Sequence, residues 1–393
     1  MTEWSSRLGT GARLLGAILL PVALVLSHRN LPMALALIAV PGLISLRHYR
    51  PGPWAQATFA LLGYAMLTCL WSPYEEAGAW PLYLLALGSL GAAAMRSGDV
   101  MSTRFFFWAA ALGIVLLGFE ATTGGLIRDI VPPENRPDKD DVATGRGILE
   151  VISLAPAVAV FFWRRHGRVG PPLAVVLTLI TFWASLHFGI TANALAVVVG
   201  AVAAALALWR PRWTVGGLMA MAAAGFVFFP IMAMLLPSPD VLGALEEGPA
   251  SWRMRLIVWK TIWGETPDTV FGFLFGHGVE SARVLGEALG RISMANFTGA
   301  ANVIPTHPHN IYYHIWYELG LVGVGLTVLA LYRGGRALVQ SSMGRDIFAA
   351  AAALIAISIV YAAVDASLWT LWRIAAPMLG AWALVRLNEN DLH

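Results

Sequence analysis

"THPHNIYYHIWYELGLVGVGLTVLALYRGGR", residues 306–336, sets three histidines, an asparagine and a glutamate at one end of an apolar run and two arginines at the other. A bilayer core about 30 Å thick takes roughly 20 apolar helical residues, and the run from 312 to 331 has that length. Worked outward from it, the chain keeps alternating apolar segments with short connections. It is 58% hydrophobic and only 12% charged over 393 residues, with a positive mean hydropathy. That composition lies outside the range of soluble domains and points to an all-α integral membrane protein.

The same ruler gives about twelve spans, near 11–28, 31–46, 54–71, 79–95, 103–119, 147–163, 171–188, 190–208, 213–236, 312–331, 346–363 and 366–386. The N-terminal segment has arginines ahead of an apolar stretch, as a signal peptide does, but lacks a small-residue cleavage site, so it is read as a retained first span. Arg47 and Arg50, Arg96 and Arg104, Arg164, Arg165 and Arg168, Arg210 and Arg212, and Arg333, Arg336 and Arg345 fall at every second connection. Positive charge marks the cytoplasmic side, so both termini are expected there. A net charge of only +3, dispersed between apolar segments, argues against nucleic acid as a partner. The single cysteine, Cys69, lies within an apolar run, so neither a disulfide framework nor a cysteine metal site is available.

The chain reads as one polytopic domain, 1–393, with two long connections on the outer face, residues 120–146 and 237–311. The larger is too hydrophobic and aromatic for a disordered linker. Its segment "SWRMRLIVWKTIW", 251–263, places Trp252, Leu256, Trp259 and Trp263 on one helical stripe, with Arg253 and Lys260 on one flank and Arg255 on the other. This predicts a helix lying among lipid headgroups, whose Arg253 and Arg255 are candidates to grip a phosphate with paired hydrogen bonds. In "FGFLFGHGVESARVLG" Gly272, Gly276 and Gly278 surround His277 and read as a tight turn rather than a phosphate cradle.

In the opening stretch Pro308 keeps His307 out of helical geometry, and His309 and Asn310 stand where span ten begins. A histidine so placed can take a proton from a hydroxyl as general base. Glu318, two turns into the span, should face the protein interior, since an ionisable group at that depth costs roughly 2.5–3.5 kcal/mol on insertion scales. Arg373 is its expected partner, with Asp365 and His314 as others; the group is read as support for the site. Asp138-Lys139-Asp140 is a poor match to the Asp-x-Asp of metal-dependent sugar transferases, and no paired Cys/His metal spacing occurs. No metal and no cofactor are expected.

These residues resemble the O-antigen ligases and related polysaccharide polymerases of bacterial inner membranes. The pattern of that family is His, then Asn, Ser or Gln, nine residues, and Gly-x-x-Gly; His309, Asn310, "IYYHIWYEL", Gly320 and Gly323 match it. The resemblance implies a GT-C-like glycosyltransferase of twelve helices with its largest periplasmic loop between spans nine and ten. It would move a glycan from undecaprenyl diphosphate to a hydroxyl of lipid A-core, or, in a polymerase, to a growing glycan. It also implies His309 as the motif histidine and Arg253 or Arg255 on the diphosphate, with Arg146, Lys260, His307 and Asn310 as further candidates to contact substrate. Where the family usually has a Ser-Arg pair at the start of span eight, Ala192 and Asn193 stand where the arginine is expected, so the chain lacks one phosphate-binding cation unless Arg146 or His187 replaces it. An arginine, ten residues and a glycine recur at Arg136 to Gly147 and Arg253 to Gly264, a spacing known among polymerases. A transporter would need ionisable groups at all depths of the bilayer, whereas here nearly all gather at one face.

Overall fold

The computed structural model describes residues 3–26, 28–43, 46, 48, 50–130, 140–188, 191–295, 300–365 and 367–389; the side chains of 3–7, 28, 140–144, 146, 191 and 300 fall outside that description. Among the described residues the helices are α1 (Glu3–Leu26), α2 (Leu31–Leu43), α3 (Pro53–Thr68), α4 (Ala79–Ala94), α5 (Val100–Thr123), α6 (Leu126–Ile130), α7 (Asp140–Arg165), α8 (Gly170–His187), α9 (Thr191–Trp209), α10 (Pro211–Leu235), α11 (Pro239–Ala244), α12 (Ala250–Glu265), α13 (Val270–Phe275), α14 (Ser281–Leu289), α15 (Ile311–Gln340), α16 (Arg345–Val364) and α17 (Leu371–Asn388). A two-stranded antiparallel ribbon, β1 (Arg291–Ser293) with β2 (Ala300–Asn302), stands between α14 and α15. The protein is an all-α membrane protein. Eight of its described helices, α1, α5, α7, α8, α9, α10, α15 and α16, are long and apolar enough to cross a membrane.

Those eight coincide with eight of the predicted spans. The other four fall on shorter or more polar helices: α2 has 13 residues, α3 and α4 have 16 each, and α17 has 18 but carries Arg373 and Arg386. The last predicted span also starts late, at Leu371 rather than 366, so Arg373 lies in the first turn of α17 and not two turns inside.

Helix against helix, lipid offers little hydrophobic drive, and close approach of small side chains takes over. The broadest contact, α9 against α16, is built that way: Ala203 and Ala207 pack with Ala349, Ala352 and Ala356. Buried charge is paired at Arg13 with Asp99 (2.5 Å) and at Arg128 with Glu120 (2.9 Å), whereas neither carboxylate oxygen of the buried Glu150 has a hydrogen-bond partner among the described residues.

α12 departs from expectation. Its buried face is Ile257, Val258, Trp259, Ile262 and Trp263 together with Arg253, while Trp252 and Leu256 are only half-buried. Trp259 lies 6.0 Å from the ring of Tyr313, and Trp263 lies 5.8 Å from Trp316. The stripe therefore packs on α15 rather than standing open to headgroups, because an amphipathic face fits a protein groove as well as a lipid surface.

α15 is two helices joined at a break. Gly320 has φ 62° and ψ −165°, a region open essentially only to glycine. The carbonyls released there are taken by the turn after α13: the His277 amide donates to Tyr317 O and the Gly278 amide to Glu318 O, both at 2.9 Å. Gly276 and Gly278, with φ 78° and 93°, let this turn approach so closely that a Cβ on Gly276 would strike the Glu318 carbonyl. The tight turn read from the glycines is thus a backbone clasp on α15.

Candidate active site

The last carbonyls of a helix have no partner within it, and at the end of α16 three side chains supply the missing donors. Asn310 Nδ2 donates to Ala363 O at 2.8 Å, Arg255 Nε donates to Val364 O at 2.7 Å, and Arg373 Nη1 donates to Asp365 O. The negative end of the helix dipole favours cations at this point. Residues far apart along the chain are thereby gathered at one helix terminus, Asn310 with Ala363 across 53 positions and Arg255 with Val364 across 109.

Asn310 also caps α15. Fully buried, its Oδ1 accepts the amides of Tyr312 (2.9 Å) and Tyr313 (3.2 Å). The side chain of one residue thus ties the start of α15 to the end of α16. Just ahead, His309 holds a left-handed φ of 55°, uncommon outside glycine and costing of order 1–3 kcal/mol when over-determined by its surroundings. The Trp259 indole fixes this turn by donating to Pro308 O at 3.1 Å.

Asp365 is the hub. Its Oδ2 lies 3.0 Å from Arg373 Nη1, and its Oδ1 lies 3.7 Å from His309 Nδ1 and 4.0 Å from Arg255 Nη2. Burial opposes its charge, but Arg373 foremost, then His309 and Arg255, hold the carboxyl well below the usual carboxylate range. Two guanidiniums against one carboxylate leave surplus positive charge. Burial, together with Arg373, lowers Arg255 although Asp365 opposes the shift; an arginine starts so high that it stays cationic. Arg373 lies 4.9 Å over the Trp372 ring, and its Nε has no hydrogen-bond partner.

His307 stacks beside His309 with ring centroids 4.3 Å apart. Burial, then the neighbouring His309 and Arg373, push its pKa well below the ordinary histidine value. Neither His307 Nε2 nor His309 Nδ1 has a hydrogen-bond partner. Unpaired ring nitrogens beside a cationic cluster are what a site awaiting a polar ligand presents.

Beneath lies a second, closed group. His314 Nε2 meets Glu318 Oε1 at 3.0 Å, Trp369 Nε1 donates to Glu318 Oε2 at 2.7 Å, and the Leu368 amide donates to His314 Nδ1 at 3.2 Å. Since Nδ1 accepts, the ring proton sits on Nε2, facing the carboxylate. Arg373 is not the partner of Glu318, contrary to expectation: entering α17 so late, it meets Asp365 instead. Gly323 leaves room for Leu319 one turn back in α15, whose side chain a Cβ would strike.

The α12 cations separate. Arg253, 4% exposed, donates to Leu245 O and, at 2.6 Å, to Ala295 O. Lys260 caps α10, its Nζ donating to Ala233 O at 3.1 Å. Both serve the loop scaffold, and only Arg255 reaches Asp365. Asn193, where the family resemblance anticipates a cation, is buried, donates to Gly145 O at 3.0 Å and accepts from the Tyr361 hydroxyl at 2.7 Å. The Arg146 side chain and Asp138-Lys139-Asp140 lie outside the described residues. Among those described, no three His, Cys, Asp or Glu side chains are grouped as metal ligands would be.

Sequence reading missed Asp365 as the hub and Trp369 as a partner of Glu318. The one available signal was an acidic residue isolated between two apolar runs.

No model of a known protein family matches the chain, and no curated protein matches it either.

Proposed function

We propose that this protein is an O-antigen ligase-like glycosyltransferase of the bacterial inner membrane, moving a glycan from undecaprenyl diphosphate to a lipid A-core hydroxyl without a metal. The observation that carries the reading is His309 facing Asp365 beside Arg255 and Arg373, together with the resemblance around His309, Asn310, Gly320 and Gly323. In this reading the chain has the twelve-span, GT-C-like arrangement, both termini are cytoplasmic, and the site faces the periplasm among membrane lipids.

The chemistry asks for one base and an anion-stabilising pocket. The acceptor oxygen attacks the anomeric carbon, and the bond from that carbon to the diphosphate oxygen breaks. His309 Nε2 receives the hydroxyl proton, and the Asp365 carboxylate, 3.7 Å from Nδ1, steadies the resulting imidazolium by its charge. Arg373 and Arg255 neutralise the charge gathering on the departing diphosphate. Diphosphate leaves readily, so no paired acid is required.

A reconstituted assay tests the reading: proteoliposomes with undecaprenyl-diphosphate glycan, offered lipid A-core and, separately, a second lipid-linked repeat. Transfer to the core supports the ligase. Chain growth alone assigns the polymerase, and neither product overturns both.

A further inference from the structure

The clasp at the Gly320 break opens into a cavity of about 410 Å³ lined by Trp71, Phe271, His277, Ser281, Ala288 and Tyr317 among others. We infer that this cavity is a subsite for a sugar ring of a glycan substrate, set apart from the reacting bond. The inference rests on the glycosyltransferase reading above.

Sugar rings present C–H faces to aromatic rings and hydroxyls to polar atoms, and the cavity offers both. Trp71 and Phe271 meet edge to face at 5.5 Å, and Phe271, whose ring also lies 5.1 Å from that of Phe275, is half-exposed at the rim. The His277 ring lies flat on Tyr317, 4.3 Å away and 12° from parallel. Its Nδ1 faces Tyr317 O at 3.0 Å and its Nε2 faces Asp268 at 2.9 Å, so both ring nitrogens are held within the protein and the ring is a rigid part of the wall. Ser281 is 1% exposed, and its hydroxyl has no hydrogen-bond partner. A hydroxyl left so costs free energy unless a ligand or water meets it.

Position fits the same use. Tyr317 stands about 10 Å along the α15 axis from Asn310 at about 1.5 Å per residue, the reach of a short run of linked sugars from His309. Val270 and Phe271 are exposed at the rim, 78% and 52%, as suits a glycan anchored in the bilayer nearby.

Saturation-transfer NMR on the purified full chain in detergent reads the binding directly, without any transfer reaction. The probes are core oligosaccharide released from lipopolysaccharide by mild acid and, separately, released O-polysaccharide. Ala288→Trp fills the cavity from an exposed position of α14, and Phe271→Ala removes the platform. We expect saturation of at least one probe by the wild type, lost at least fivefold in both variants and retained in His309→Ala. Saturation of core oligosaccharide assigns the ring to the acceptor, and saturation of O-polysaccharide assigns it to the donor. No saturation of either probe, or saturation unchanged by Ala288→Trp, overturns the subsite. Failure of the transfer assay with this result intact would remove the enzymatic reading and leave the sugar site standing.

Discussion

One carboxylate oxygen of Asp365 faces His309 Nδ1 at 3.7 Å while the other holds Arg373 at 3.0 Å. An anion so anchored can steady a positive charge on the imidazole without itself changing protonation state, and it directs Nε2 to the opposite side. Asp365→Asn keeps the shape and removes the charge. Two unit charges about 4 Å apart attract by about 1–4 kcal/mol between water and a partly buried site, so transfer should fall by roughly 10–100-fold. Initial rates across a pH series, compared with wild type, check this; a positioning role also alters the pH profile, which a purely structural lesion would not do.

Arg373 and Arg255 should respond differently. Arg373→Ala leaves a buried carboxylate without its principal partner and should destabilise by about 3–5 kcal/mol. Arg255→Ala leaves the Arg373 pair intact and removes two carbonyl contacts, to Val364 and Ser251, so its stability cost should stay near ~1–2 kcal/mol. Its larger effect should be a raised KM for the diphosphate donor. Thermal unfolding in detergent and donor titration separate the two.

Gly320→Ala tests the break in α15. The backbone at φ 62° admits no ordinary side chain, and a Cβ would lie 2.5 Å from Gly276 N and 2.7 Å from the Leu274 carbonyl carbon. Strain alone predicts about 1–3 kcal/mol, and the backbone clash adds to it. A markedly lowered Tm is expected, and a variant as stable as wild type would show that the clasp is not needed.

Much of the architecture is legible in the residues, because a span is declared by local composition. The eight long apolar helices and the start of α15 at Asn310 follow from hydropathy and from Pro308 alone. His314 with Glu318 is allowed by i,i+4 spacing on one helix, although Arg373 is the partner expected first from the sequence. Asp365 as a hub does not follow, since its partners come from α12, the turn before α15 and α17, and only tertiary packing gathers them at one helix end. The separate fates of Arg253 and Arg255 were hidden for the same reason: periodicity assigns flanks but does not say which flank meets α16. The ribbon of β1 and β2 is too short, at three residues a strand, to leave a periodic signal.

Glu318→Gln should lower stability by about 1.5–3 kcal/mol, because a neutral amide can accept from either His314 or Trp369 but satisfies neither as the carboxylate does. Transfer at a temperature well below unfolding should be reduced far less than in His309→Ala. Equal loss of activity in the two would move Glu318 from support into the reaction.

His307 carries a pH signature. Its folded-state pKa is depressed by burial and by its cationic neighbours, against about 6.5 for an unperturbed histidine. The folded protein then binds fewer protons than the unfolded chain below that pH. The contribution to stability is present above about pH 6.5 and is lost as pH falls beneath it. Tm should decline on acidification, and His307→Gln should flatten that decline; an unchanged slope would remove His307 as its source.

The most direct test of the account is transfer by His309→Ala in proteoliposomes holding undecaprenyl-diphosphate glycan and lipid A-core, with folding verified by an unchanged Tm. Loss of a general base predicts a fall of about 10²–10⁴-fold with donor binding retained through Arg255 and Arg373. Wild-type transfer by the folded variant would contradict the central claim.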